Sequence, residues 1–170
     1  MVTQLERRTE TRQAILDATL TLFVELEGSE PSLDAVAERA GVAKSTVLYH
    51  FQSRLGLLDA LAERLSHEMG ARLGPLEQHE DAAAFVRAFL RDGRSPSVRV
   101  FHQVSDHLQH ARGLGRGLYQ LSDALQMLGV TDRPLVVAAA AMTMARHVAF
   151  GQVDDATLEA FVDDLFALGG

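Results

Sequence analysis

Residues 33–51 read LDAVAERAGVAKSTVLYHF, and the fold turns on the role of the segment beyond Ala40. The segment GVAKST, 41–46, looks like the tail of a phosphate-binding loop, in which a lysine and a hydroxyl residue meet a nucleotide. Such a loop needs the pattern G-x-x-x-x-G-K-[ST], because glycine lets backbone N–H groups curl around the phosphates. Lys44 and Ser45 satisfy its end, but the glycine positions hold Glu38 and Ala43. A carboxylate at 38 opposes a phosphate anion, and the segment before the loop has helical rather than strand character. The nucleotide reading is excluded.

The same stretch has the parts of a helix-turn-helix. Ala37 is small where two helices cross closely, and Gly41 permits the tight turn between them. Val36, Ala40, Val42, Val47 and Phe51 supply the apolar contacts that lock the pair. The second helix, 44–51, then exposes Lys44, Ser45, Thr46, Tyr49 and His50, short hydrogen-bonding and basic groups suited to phosphates and base edges in a major groove.

Working outward, helical periodicity covers nearly the whole chain. From Thr11, the residues Ile15, Ala18, Thr19, Leu22, Phe23 and Leu26 keep spacings of three and four, the face of an amphipathic helix. GSEP, 28–31, ends that helix, and Ser32 is placed to cap a short one over 33–40 with Asp34 in its first turn. A longer helix is predicted over 55–73, and Gly74-Pro75 stops it. Further helices are predicted over 81–91, 96–110, 115–128, 133–150 and 156–168, separated by glycine-, proline- and aspartate-rich breaks. Strand patterns and internal repeats are absent. The chain reads as all-α, about nine helices, in two blocks: a helix-turn-helix unit over 1–53 and a unit of longer helices over 54–170.

Composition narrows the class. Apolar residues are 47% and charged residues 23%, as in ordinary globular chains. Cysteine is absent, which excludes disulfides and thiolate zinc sites. The charged N-terminus lacks the apolar core of a signal peptide, and the apolar run 135–145 is too short to span a bilayer. A cytoplasmic protein with no membrane partner is the expectation. The net charge of −7 argues against broad, non-specific nucleic-acid binding. Between Arg39 and Leu58, however, no Asp or Glu occurs while Arg39, Lys44 and Arg54 do. Arg7, Arg8 and Arg12 form either an arm toward DNA, interrupted by Glu6 and Glu10, or a frayed terminus.

The run AVAERAGVAKSTVLYHFQSRLGLLDAL, 35–61, resembles the DNA-binding domain of the TetR family of one-component transcriptional regulators. The pattern A-x-x-A-G-V-x-x-[ST]-T, followed by F-x-S-[KR]-x-x-L-L-x-A-L, is matched from Ala37 to Leu61, and RQAILDATLTLFVELE resembles the family's first helix. The resemblance implies a homodimer whose recognition helices meet successive major grooves of a palindromic operator, about 34–36 Å apart or in wider variants. It implies that Lys44, Ser45 and Thr46 lie near base edges and phosphates, that Tyr49, His50 and Arg54 contact phosphates, and that Ser32 lies beside the backbone. It also implies that the later helices bind a ligand and dimerise. The sequence departs from the family pattern at Asp34, at Leu48, where tyrosine is common, and at Leu55-Gly56.

In the second block, 133–150 is apolar almost all round, so two-sided burial is expected, and 156–168 carries Leu158, Phe161, Val162, Leu165 and Phe166 on one stripe. Paired across a two-fold axis, these last two helices would form a four-helix bundle. Phe85, Phe89, Phe101, Tyr119, Met127, Met142 and Met144 are available to line an apolar pocket or to fill plain core. His102, Asp106 and His110, spaced i, i+4 and i+8 with His107 nearby, form either a metal-ligand arc or a solvated polar face. His147, in an apolar helix, reads as a core or interface histidine. No nucleophile–base pair or carboxylate constellation points to catalysis, and no cofactor or metal is expected. The sequence therefore points to a DNA-binding regulator, a repressor released from its operator by a small apolar effector. The alternative is a helical small-molecule binding protein or enzyme that has lost DNA binding.

Overall fold

The computed structural model describes residues 4–112 and 116–167. Nine α-helices occur among them and no strand: α1 Gln4–Glu25, α2 Leu33–Ala40, α3 Lys44–Phe51, α4 Arg54–Leu73, α5 Ala82–Asp92, α6 Pro96–Arg112, α7 Arg116–Met127, α8 Pro134–Ala149 and α9 Asp155–Ala167. No helix among the described residues is long and apolar enough to cross a membrane.

Local chemistry sets the first four elements. Ser32 caps α2, its Oγ accepting the Ala35 N–H at 3.1 Å. Gly41 ends α2 at φ +66°, with its own N–H on the Glu38 carbonyl and the Val42 N–H on that of Ala37. That 6→1 and 5→2 pairing needs a left-handed residue, which glycine adopts without a Cβ penalty. Ser53 caps α4 by accepting the Gly56 N–H at 3.0 Å. The first helix is longer than the sequence pattern marks, beginning at Gln4 rather than Thr11. Its first turns bury nothing, Leu5 being 73% exposed, so no apolar stripe announces them. They persist because Gln, Leu, Glu and Arg favour the helix and Glu6 lies at its positive end.

Two apolar cores result. The first gathers Ile15, Phe23, Val36, Val47, Phe51 and Leu61 from α1–α4, and takes Val100 and Val104 from α6 as its floor. Ala37 is buried at the α2 crossing, and Ala40 and Val42 pack half-buried against this core. The second core joins α5, α7, α8 and α9. On α8, Ala138, Ala141 and Ala145 form a buried stripe, and α7 packs closely along that helix. Arg87 of α5 reaches Glu159 at 2.9 Å and also Asp163, tying α9 down. The second face of α8 is open in the single chain, with Leu135 and Val136 exposed, so the expected two-sided burial is not met within one protomer.

Gly56 needs its missing side chain. A Cβ there would fall inside contact distance of the Phe51 carbonyl oxygen, where α3 hands over to α4. Gly56→Ala is expected to destabilise by about 1–3 kcal/mol through this overpacking. Gly70→Ala, on the same helix with nothing within 4 Å, should be neutral or slightly stabilising. Urea midpoints of the two variants decide it, and equal midpoints would refute the close approach.

Candidate nucleic-acid interface and ligand pocket

The helical period of α3 divides its residues. Val47 and Phe51 point into the first core, while Lys44, Ser45, Leu48 and Tyr49 are exposed and Thr46 and His50 are half-buried. The structure thus brings Lys44, Ser45, Thr46, Tyr49 and His50 onto one short helix. Arg54 opens α4 beside it, and Ser32 marks the start of α2. Ala43, before α3, provides no side-chain cap.

The cations here are already engaged with carboxylates. Lys44 Nζ lies 2.9 Å from Asp34 Oδ2, and Arg54 pairs with Glu30. Asp34 therefore steadies the lysine at the head of α3 rather than standing alone on the surface. Both partners of the Lys44–Asp34 pair are at least half exposed, so the pair is worth at most about 1 kcal/mol and exchanges readily for another anion. Glu30 is itself largely buried and also faces His107 Nδ1 of α6 at 3.4 Å.

Arg8 and Arg12 belong to this surface, although the sequence leaves them open between arm and frayed end. Within the helical start of α1, the Arg8 guanidinium lies 5.6 Å from the Tyr49 ring centre and that of Arg12 lies 5.2 Å from the Phe51 ring. A signal for this exists in the sequence: positions 8 and 12 continue, at helical spacing, the face that buries Ile15 and Leu16. The His50 ring, beneath them, is pushed below its ordinary value by burial first and then by the Arg8 and Arg12 charges, so it is neutral at neutral pH.

A second feature lies between α4, α5, α6, α7 and α8. It is a cavity of about 590 Å³ walled by Phe85, Phe89, Phe101 and Met142, with Ser66, His67 and Met69 on the α4 side and Gln120 on the α7 side. Four of the seven apolar candidates from the sequence meet here. Of the others, Tyr119 and Met127 are exposed and Met144 packs against the second core. The sequence does not announce the α4 wall, because its residues all lie beyond Leu65, the last buried residue of that helix.

His102 also lines the cavity and is 8% exposed. It corrects the solvated-face reading of the 102–110 arc at its first position. Burial, reinforced by the Arg146 charge and opposed by Asp106, lowers its pKa to about 4. Asp106 is held by Arg146 at 2.6 Å, and His107 turns toward Glu30 and the Phe23 ring. The His110 side chain lies outside the described residues. Among the described residues, no group of three or more His, Asp or Glu side chains is arranged to hold a metal ion. His147 is exposed, its Nδ1 2.6 Å from Gln152 Oε1, and so is not a core group.

Comparison with known proteins bears on the first of these features and on the fold. Residues 15–61 match the family described as bacterial regulatory proteins, tetR family. Over 96 residues the chain is 34% identical to the HTH-type transcriptional regulator SrpR of Pseudomonas putida, spanning 56% of this chain and 45% of SrpR. Over 96 residues it is 33% identical to the uncharacterized HTH-type transcriptional regulator TtgW, also of Pseudomonas putida, covering 56% of this chain and 72% of that protein. A TetR-family transcriptional regulator from Rhodococcus sp. superposes with a TM-score of 0.66 at 21% identity, over 95% of this chain and 97% of the other, a likeness that bears on the fold.

Proposed function

The chain belongs to the TetR family of bacterial DNA-binding transcriptional regulators, and on that premise we propose that it is a homodimeric repressor released from a palindromic operator by a small apolar effector. The observation that carries this reading is the cationic and hydroxyl-rich face of α3, flanked by Arg8, Arg12 and Arg54. In this reading residues 1–53 are the DNA-reading unit and 54–170 the effector-binding and dimerisation unit, working in the cytoplasm. Lys44, Ser45 and Thr46 address base edges and nearby phosphates. Tyr49, His50 and Arg54 grip the backbone, and the Ser32 hydroxyl, whose oxygen already caps α2, keeps its proton for a phosphate. Leu48, 38% exposed among polar neighbours, suits a thymine methyl group rather than a phosphate. Dimerisation through α8 and α9 is supported by the open apolar face at Leu135 and Val136. Effector release would be a population shift, and the helices available to transmit it are α4 and α6, which contribute both to the first core and to the cavity wall.

Mobility-shift titration with DNA from around the protein's own gene is the test. Lys44→Ala is expected to weaken binding at least about tenfold and to reduce the dependence of log affinity on log salt by about two, as loss of one phosphate contact in each half of the dimer requires. His50→Ala should weaken binding less, its ring being neutral. Binding that neither substitution changes, or no binding at low salt without effector, would favour instead a helical small-molecule binding protein.

A further inference from the structure

We propose that the effector is an uncharged aromatic molecule bearing one hydrogen-bonding group, its rings against Phe85, Phe89 and Phe101 and its polar group on the His102 imidazole; this rests on the effector-released reading above. The cavity, about 590 Å³, is in the range of sites that enclose a small organic ligand. No Asp, Glu, Lys or Arg lines it among the described residues. Apart from its two histidines the described lining is neutral, so an ionised ligand would lose water there and gain little counter-charge from it. Asp106 and Arg146, the charges that act on His102, answer each other at 2.6 Å and are not among the described lining.

His102 supplies the polar requirement. Its ring is nine-tenths buried, lines the cavity, and makes no hydrogen bond to any described residue. A neutral imidazole carries one N–H donor and one bare acceptor nitrogen that a ligand in the cavity can meet. A phenol or alcohol can meet either nitrogen, which a pure hydrocarbon cannot. The Phe101 ring stands edge-on to His102 at 5.9 Å, so an aromatic ligand that reaches the imidazole also meets a ring. Gly117 bounds the far side: a Cβ there would touch Met142 Cε at 3.7 Å and Phe101 Cζ at 3.9 Å, so a larger side chain would occupy ligand space.

The experiment is calorimetric titration of the full chain at neutral pH with four probes of one shape: para-phenylphenol, biphenyl, biphenyl carboxylate and biphenyl trimethylammonium. The phenol is expected to bind, with both ions about tenfold or more weaker for want of a counter-charge, and biphenyl about tenfold weaker for want of a hydrogen bond. His102→Phe should bring the phenol to the level of biphenyl, His102→Gln should restore part of the difference, and Gly117→Leu should weaken all four. Thermal melts establish that each variant is folded. The proposal is overturned if an ionic probe binds as tightly as the phenol, if His102→Phe leaves the preference for phenol over biphenyl unchanged, or if no probe binds the unaltered protein. Operator titration alongside separates the two ideas. Phenol binding with the stated preferences but no operator complex supports the cavity chemistry and sinks the regulator reading.

Discussion

Phe23→Ala is expected to cost about 3–5 kcal/mol, the loss typical of removing a buried aromatic ring. Phe23 is 0% exposed in the middle of the first core and lies 6.2 Å, ring to ring, from His107 of α6. It belongs to the core that α1, α2, α3, α4 and α6 build together. Capped and salt-bridged helices cannot shift far to close the space, so most of the cavity would persist. Against a total stability of about 5–15 kcal/mol for an ordinary domain, such a loss leaves a measurable unfolded fraction. Urea denaturation followed by circular dichroism reads it directly. The neighbour Val24, 51% exposed, is the control, and Val24→Ala should move stability by no more than about 0.5 kcal/mol. Comparable midpoints for the two variants would mean that Phe23 does not anchor this core.

Acid is the second strong perturbation. His102 titrates at about 4 in the fold, against 6.5 for the unburied group, because burial first and Arg146 second disfavour its charged form. The unfolded chain therefore takes up this proton first, as pH falls through about 6.5, while the folded chain resists until about 4. Stability is at full value above 6.5 and declines across that window, with the unfolded state binding the extra proton. At roughly 1.4 kcal/mol for each pH unit crossed, this one ring accounts for a loss of about 3 kcal/mol. His50, also lowered, adds to the same slope. Denaturation midpoints at a series of pH values should fall between neutral pH and 4, and His102→Phe should flatten the profile. An equally steep profile in His102→Phe would rule the ring out as the cause.

Capping and turn chemistry is local, and this makes the helix-turn-helix legible in the sequence. Ser32, Gly41 and Phe51 mark the ends of α2 and α3, and the structure places those helices at Leu33–Ala40 and Lys44–Phe51 as the pattern indicates. Breaks at Gly74-Pro75, Pro96 and Gly129 likewise locate the later helices to within one or two residues. Periodicity fails where nothing is buried, at the exposed start of α1, and with it goes the placement of Arg8 and Arg12. It fails again where partners are brought together by helix crossing rather than spacing, as in Lys44 with Asp34 and Arg54 with Glu30. His102 reads as part of a polar arc because its neighbours Asp106 and His107 are polar. Only the packing of α6 shows that their side chains part company, one to a cavity and the others to Arg146 and Glu30.

The position of α6 bears on how such a protein can be re-engineered, and on how it can diverge. Val100 and Val104 belong to the first core, His102 walls the cavity, and Phe101 packs against the first core and walls the cavity at once. Residues 1–53 grafted alone onto a relative's body would rest on a foreign floor, missing also the Leu57, Leu58, Leu61 and Leu65 contacts from α4. A chimera that exchanges operator preference must carry the first half of α4 and the Val100 and Val104 side of α6 along with the head, while keeping the cavity residues of both helices native. On the proposed function, drift in operator reading and drift in ligand choice would be written into the same two helices, and neither half would be a freely exchangeable module.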